Sequence, residues 1–158
     1  YFMYYIGSHD TDQACREKGG LAISTDLINW TRYDGSGPEQ ALLGCGDSGD
    51  FDYDRAWLSQ GTILRESATS WKMWYPGDSD SSSAHVCRVG YATSTDGKNW
   101  TKHSISPAFT LNETAKMWAG VNIGYPSYVK ANNEYRIYYY GYNPNAVIQR
   151  QIGFAVQK

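Results

Sequence analysis

The chain repeats itself, and that repeat constrains the fold more than any other feature. Met3-Tyr4-Tyr5-Ile6-Gly7 recurs as Met73-Trp74-Tyr75-Pro76-Gly77, an offset of 70 residues. At the same offset Gly20-Leu21-Ala22-Ile23-Ser24-Thr25-Asp26 recurs as Gly90-Tyr91-Ala92-Thr93-Ser94-Thr95-Asp96, and Asn29-Trp30-Thr31 recurs as Asn99-Trp100-Thr101. A third copy begins at Ile137-Tyr138-Tyr139-Tyr140-Gly141 and continues through Ile152-Gly153-Phe154-Ala155-Val156. Three blocks in fixed order imply one structural unit used three times.

Each unit reads as a meander of short strands. In the middle copy the strands are predicted at 62–65, 71–75, 88–94 and 99–103, with an Asp-Gly hairpin signal at Asp96-Gly97 before the last. The first copy lacks the innermost strand and the last stops after its third. Composition agrees with an all-β chain: Tyr 14, Trp 6 and Gly 16 sit beside a charged fraction of 19%. Only 112–119 could pass for a helix.

A four-stranded unit that repeats is the plan of a propeller blade, which must stack on neighbours because it cannot bury both faces alone. The expectation is therefore one partial β-propeller domain over 1–158, with copies at about 1–35, 57–103 and 121–158. Such a chain does not close a ring by itself in the usual way. Missing blades would come from the rest of a longer chain, from a second copy, or from a partner protein. The first is favoured because the missing strands lie at the two ends, and the chain opens inside a strand-like run without an initiator Met. A sandwich of three similar meanders is the alternative.

Some functions are excluded early. Lys and Arg total 14 against 16 Asp and Glu, and no cationic stripe runs along the chain, so nucleic acid is not an expected partner. No run approaches the roughly 18 to 20 apolar residues of a membrane span.

The aromatic strand, polar loop and Gly20–Thr31 block, repeated at Gly90–Thr101, resembles the blade signature of five-bladed β-propeller glycosidases, the arabinanase, xylosidase, invertase and levansucrase relatives of glycoside hydrolase families 43, 32 and 68, with the mannoside phosphorylases nearby. That resemblance implies a carbohydrate-active protein acting on or binding an oligo- or polysaccharide, and five blades in the complete ring. Trp100, at the outer strand, offers a large apolar face to its own blade, and Trp30 does the same in the first copy, so both read as scaffold rather than as sugar platforms. An enzyme of this kind would use two carboxylates flanking the anomeric carbon, one protonating the leaving oxygen and one activating water or attacking directly.

Strand order places the loops 8–18, 33–60, 78–87, 104–124 and 142–150 on one face, where a ligand would sit. The richest segment runs from Gly44 to Trp57 and holds Asp47, Asp50, Asp52 and Asp54 beside Arg55. Asp52 and Asp54 are the candidate catalytic carboxylates, with Glu113 a further acid from the loop before the last copy. A turn-forming acidic loop or a loose Ca²⁺ site is the competing reading, although the Gly and terminal Glu of an EF-hand loop are absent. In the resembling enzymes an acidic residue commonly precedes the Pro that here follows Tyr125, so one implied carboxylate is missing. Trp57, Trp118 and Tyr125 are candidate sugar platforms, and Arg55 and Asn122 candidate hydroxyl partners. The same aromatics could instead line a packed channel.

No cofactor or metal is expected, since His9, His85 and His103 show no zinc-ligand spacing. His9, beside Asp10 and Asp12, is more readily an exposed loop residue than a site residue. Cys15, Cys45 and Cys87 allow one disulfide and one remaining thiol, with the pairing open. Asn29, Asn99 and Asn112 each begin an Asn-x-Ser/Thr acceptor, and the first two belong to the repeat itself. With the cysteines, Asn112 points to a secreted or lumenal protein. The alternative function is a non-catalytic, propeller-derived module that binds a glycan or serves as a structural subunit of a larger assembly, its open edges covered by partners.

Overall fold

The computed structural model describes residues 1–8, 17–34, 42–43, 57–58, 61–78, 87–103, 122–143, 145 and 147–157. They contain eleven strands and no helix. The first meander is β1 (Phe2–Ser8), β2 (Glu17–Ile23) and β3 (Thr31–Tyr33). A two-residue strand, β4 (Trp57–Leu58), precedes the second meander of β5 (Thr62–Ser67), β6 (Ser70–Asp78), β7 (Cys87–Ser94) and β8 (Thr101–Lys102). The third comprises β9 (Asn122–Ala131), β10 (Glu134–Tyr142) and β11 (Arg150–Gln157). Within each meander neighbouring strands are antiparallel. β4 runs parallel to β2 through Glu17 and Trp57 and antiparallel to β6, so it stitches the first two meanders along their backbones.

The repeat is exact in register. Met3 faces Ala22, Met73 faces Ala92 and Ile137 faces Ala155 across their strand pairs. Two residues on, Tyr5 faces Gly20, Tyr75 faces Gly90 and Tyr139 faces Gly153. At Gly20 and Gly90 the glycine is there because the tyrosine ring folds across the neighbouring strand. A Cβ on Gly20 would lie 2.6 Å from Tyr5 Cε2, and one on Gly90 would lie 2.6 Å from Tyr75 Cε2.

β6 is the most enclosed strand because sheets cover both its faces. Side chains alternate across a strand, so Met73 and Tyr75 point one way, into a cluster with Leu43, Ala92 and Trp100, while Trp74 points the other, against Val89, Ile123, Ile137 and Tyr139. Trp74 also stacks on Tyr128 of β9 at 3.5 Å between ring centroids. On its other side the second sheet receives Phe2, stacked on Trp71 at 5.7 Å, and Tyr4, whose hydroxyl donates to the Gly97 carbonyl at 2.8 Å. Burial follows position in the stack and not residue type: Met73 is 6% exposed and its counterpart Met3 is 41% exposed.

The Asp-Gly hairpin signal marks a longer, side-chain-built turn. β7 ends at Ser94 and β8 begins at Thr101, and Asp96 organises the residues between. Its Oδ1 accepts from Ser94 Oγ (2.9 Å), Lys98 N (2.8 Å) and Asn99 N (2.8 Å), and its Oδ2 accepts from Asn99 Nδ2 (2.8 Å). Trp100 Nε1 closes the turn on the Gly97 carbonyl at 3.3 Å. The first copy reproduces it: Asp26 Oδ1 accepts from Ser24 Oγ, Ile28 N and Asn29 N, its Oδ2 from Asn29 Nδ2, and Trp30 Nε1 reaches the Leu27 carbonyl. The fourth residue of each seven-residue turn, 24–30 and 94–100, is left-handed, Leu27 at φ 67° and Gly97 at φ 71°.

Candidate functional site

The backbone brings one end of all three sheets together. β4 pairs Trp57 with Asp78 and Leu58 with Gly77 and lies beside Glu17, so the end of β6, the start of β2 and β4 meet there. Cys87, the first residue of β7, lies opposite Asp78. β9 enters the same end: a Cβ on Gly124 would lie 4.0 Å from Pro76. The Thr62 hydroxyl donates to the Pro126 carbonyl, fastening the innermost strands β5 and β9 to each other.

Tyr125 stands at the top of β9. It is 67% exposed and adopts φ 47°, a left-handed conformation uncommon for a bulky non-Gly residue. Tyr140 of β10 meets it edge-on, at 6.0 Å between centroids and 78° between planes. One ring edge is therefore supported while most of the Tyr125 surface faces solvent. Tyr140 was absent from the sequence-based candidates, although the run Tyr138-Tyr139-Tyr140 puts an aromatic on β10 opposite any side chain near the start of β9. A narrow cleft of about 80 Å³ between the first and second sheets is lined by Tyr4, Ile6, Leu43, Gly61, Met73 and Tyr75. That is well below the roughly 300 Å³ of an ordinary ligand pocket.

Trp57 lies in β4 and Asn122 opens β9, so the backbone sets both at this end with Tyr125. Asp52, Asp54, Arg55, Glu113 and Trp118 fall outside the described residues, as do His9, His85, Cys15, Cys45 and Asn112. Asn29 and Asn99 do not present free amides, because both serve the turns through Asp26 and Asp96. Among the described residues no three His, Cys, Asp or Glu side chains converge as a metal site requires.

The carboxylates that the structure places have structural work. Backbone and side-chain donation from Asn29 and from Ile28 and Ser24 holds Asp26 below the usual carboxylate range, and the Asn99 and Lys98 amides do the same for Asp96. At the far end of the sheets Glu66 accepts from Tyr135 and lies 2.9 Å from Lys72 Nζ and 3.1 Å from Lys130 Nζ. The Tyr135 bond, followed by that from Lys72, pulls Glu66 down to about 2. Burial pushes the Lys72 ammonium down, but its bonds with Tyr135 and Glu66 outweigh this and leave it above its ordinary range. None of these groups is poised to exchange a proton near neutrality.

A solved structure described as a glycoside hydrolase superposes on 99% of this chain with a TM-score of 0.70 and 20% identity. The chain has the fold of a glycoside hydrolase propeller. A structure described as a BT0996 RGII complex matches 99% of the chain at a TM-score of 0.67 and 22% identity. A variant of the Bombyx mori GH32 beta-fructofuranosidase BmSUC1 in complex with sucrose matches 99% at 0.62 and 20%. The chain spans 40%, 40% and 31% of those three structures, so it is a partial propeller relative to them. No protein-family profile and no curated protein sequence matches it. The alternative of a sandwich gives way to the propeller, whose sheets stack side by side around an axis.

Proposed function

We propose that the chain is part of a carbohydrate-active propeller and that the end of the stack bearing Tyr125 holds a glycan. The observation that carries this reading is an exposed aromatic in a left-handed conformation at the top of an innermost strand, braced by Tyr140. Strained backbone clusters at ligand sites, and a ring held in place before the sugar arrives lowers the ordering cost of binding. The sucrose carried by the similar fructofuranosidase supports a sugar as the ligand class. Trp57, Asn122, Arg55 and Trp118 are proposed to complete the binding surface.

The hydrolytic form of the reading rests on the acidic segment 47–54 and on the glycoside hydrolases among the similar structures. In it Asp52 and Asp54 supply the acid and the base or nucleophile, with Glu113 as a further acid. Tyr125 stands where the resemblance implies a carboxylate, which favours binding over turnover. Secretion or delivery to a lumen is proposed with it.

Two measurements test this. Titration with fructo-, arabino- and xylo-oligosaccharides, followed by intrinsic fluorescence, is expected to saturate for at least one, and Tyr125→Ala is expected to weaken that binding at least tenfold. No binding to any of the three series, or equal binding by the variant, overturns the platform. Aryl-glycoside hydrolysis unchanged in both Asp52→Asn and Asp54→Asn removes the catalytic assignment.

A further inference from the structure

Two Asn-x-Thr glycan acceptors are built into the repeat, at Asn29-Trp30-Thr31 and Asn99-Trp100-Thr101. Both asparagines are exposed, so burial does not withhold them. What withholds each is the aspartate three residues earlier. Asp96 Oδ2 accepts from Asn99 Nδ2 at 2.8 Å while its Oδ1 accepts from the Asn99 backbone amide at 2.8 Å, and Asp26 grips Asn29 through the same two bonds at 2.8 Å each. The remaining residues of each acceptor are engaged as well. Trp30 Nε1 and Trp100 Nε1 donate to the Leu27 and Gly97 carbonyls, while Thr31 and Thr101 open β3 and β8, paired with Ile23 and Thr93.

N-glycosylation needs the opposite arrangement. Transfer of an oligosaccharide from a lipid pyrophosphate joins Nδ2 to the anomeric carbon, breaks that carbon's bond to the pyrophosphate oxygen and removes one Nδ2 proton. The transferase must reach an amide that is not already donating to a carboxylate, together with the hydroxyl two residues on. Both aspartates are held below the usual carboxylate range by these donors, the Asn backbone amides first, so they stay ionised and accepting in neutral and mildly acidic compartments. Time favours the turn too. A loop of this size closes in roughly 10 to 100 ns, whereas synthesis adds about 5 to 20 residues per second, so each turn equilibrates as soon as it emerges.

We infer that these turns keep both repeat acceptors free of N-linked glycan, with Asp26 and Asp96 as the gating residues. The acceptor pattern then comes from turn chemistry: Asn serves the Asp, Trp closes the turn, and Thr enters the next strand. Both turns are complete within the chain, and the inference does not depend on which sugar, if any, the protein binds. Asn112 lies outside the described residues and has no part in it.

The test sends the full chain through the secretory route of a eukaryotic expression host, behind a cleavable export signal, and reads occupancy at each asparagine by mass spectrometry. A flexible C-terminal tail bearing one Asn-Ala-Thr acceptor is expected to be occupied, which shows that the chain met the transferase, and Asn29 and Asn99 are expected to be occupied at least tenfold less. Asp96→Asn keeps one oxygen for the backbone amides and turns the other into a donor, so it releases the Asn99 side chain with little change of shape. Occupancy at Asn99 is expected to rise at least tenfold while Asn29 stays at its wild-type level. Asp26→Asn is expected to do the reverse, so each copy is the control for the other. Near-UV circular dichroism of the secreted protein checks that the sheets still pack around Trp74, and where a variant loses its native dichroism, Asp96→Ser or Asp26→Ser replaces it with the same expectation. Wild-type occupancy at Asn29 or Asn99 equal to that of the tail overturns the inference. So does a variant whose asparagine stays empty, which assigns the silence to the Trp inside the acceptor, or a single substitution that opens both sites at once.

Discussion

Adding a single methyl group at Gly90 and at Gly20 gives the same local collision with opposite consequences. In both, the new carbon would lie 2.6 Å from the Cε2 of the facing tyrosine, so the ring has to leave. Tyr75 is 1% exposed, enclosed among Leu43, Met73 and Ala92, and has nowhere to go. Overpacking of a closed core costs about 1 to 3 kcal/mol, and the smaller chain entropy of alanine returns about 0.5 to 1 kcal/mol. With a contact this short against a ring that cannot move, the cost sits at the upper end of that range, and Gly90→Ala is expected to destabilise by about 2 kcal/mol net. Tyr5 is 37% exposed on the open face of the first sheet, so its ring can swing outward, and Gly20→Ala is expected to change stability by less than about 0.5 kcal/mol. Urea unfolding followed by tryptophan fluorescence reads both. With a slope of about 2 kcal/mol/M the Gly90 variant should lose about 1 M in midpoint with an unchanged slope. Equal shifts in the two variants would refute the reasoning, because they would mean that enclosure of the ring does not set the cost.

Gly97→Ala is expected to cost about 2 to 3 kcal/mol, since φ is 71° and the new carbon would lie 3.0 Å from Phe2 Cε2 and Tyr4 Oη, whereas Leu27→Gly should move stability by under about 1 kcal/mol, relief of backbone strain offsetting a freer unfolded chain. Thermal denaturation of the pair checks this. Glu66 is depressed to about 2 in the folded chain, so its contribution is present above its unfolded value near 4.3 and drains away as pH falls towards 2. Glu66→Gln should thus remove on the order of 1 kcal/mol at pH 7 after solvent screening, and the gap to wild type should close between about pH 5 and pH 2 in paired melts. Asn99→Ala deletes the amide that donates to Asp96 Oδ2 and should cost about 1 kcal/mol in the same unfolding assay.

The fold was legible because its information is local and repeated. Met3, Met73 and Ile137 can be aligned by eye, and a two-residue period then assigns every side chain between Tyr4 and Leu21, or Trp74 and Tyr91, to a face. The turn chemistry was half legible. Asp96-Gly97 announced a turn, but Ser24, Ser94, Asn29 and Asn99 recur at the same spacing and carry most of its hydrogen bonds. Reading those asparagines only as glycosylation acceptors hid that. β4 was not legible: two residues have no alternation, and its partners Glu17 and Asp78 are brought to it by tertiary structure. The Glu66, Lys72, Lys130 and Tyr135 network joins residues from β5, β6, β9 and β10 that nothing in the sequence links. For the candidate site, Tyr125 could be located because a proline and an aromatic strand flank it, while its brace by Tyr140 depends on how β9 and β10 cross.

The seven-residue turn that recurs around Asp26 and Asp96 has a consequence for how the chain reaches this structure. Every bond in it spans three residues or fewer. Closing so short a loop sacrifices little chain freedom, whereas bringing Tyr4 to Gly97 joins positions 93 residues apart. Each outer hairpin can thus form before any sheet finds its neighbour. What stacks afterwards is a set of pre-shaped pieces, and the search that limits the rate is for the seams between them.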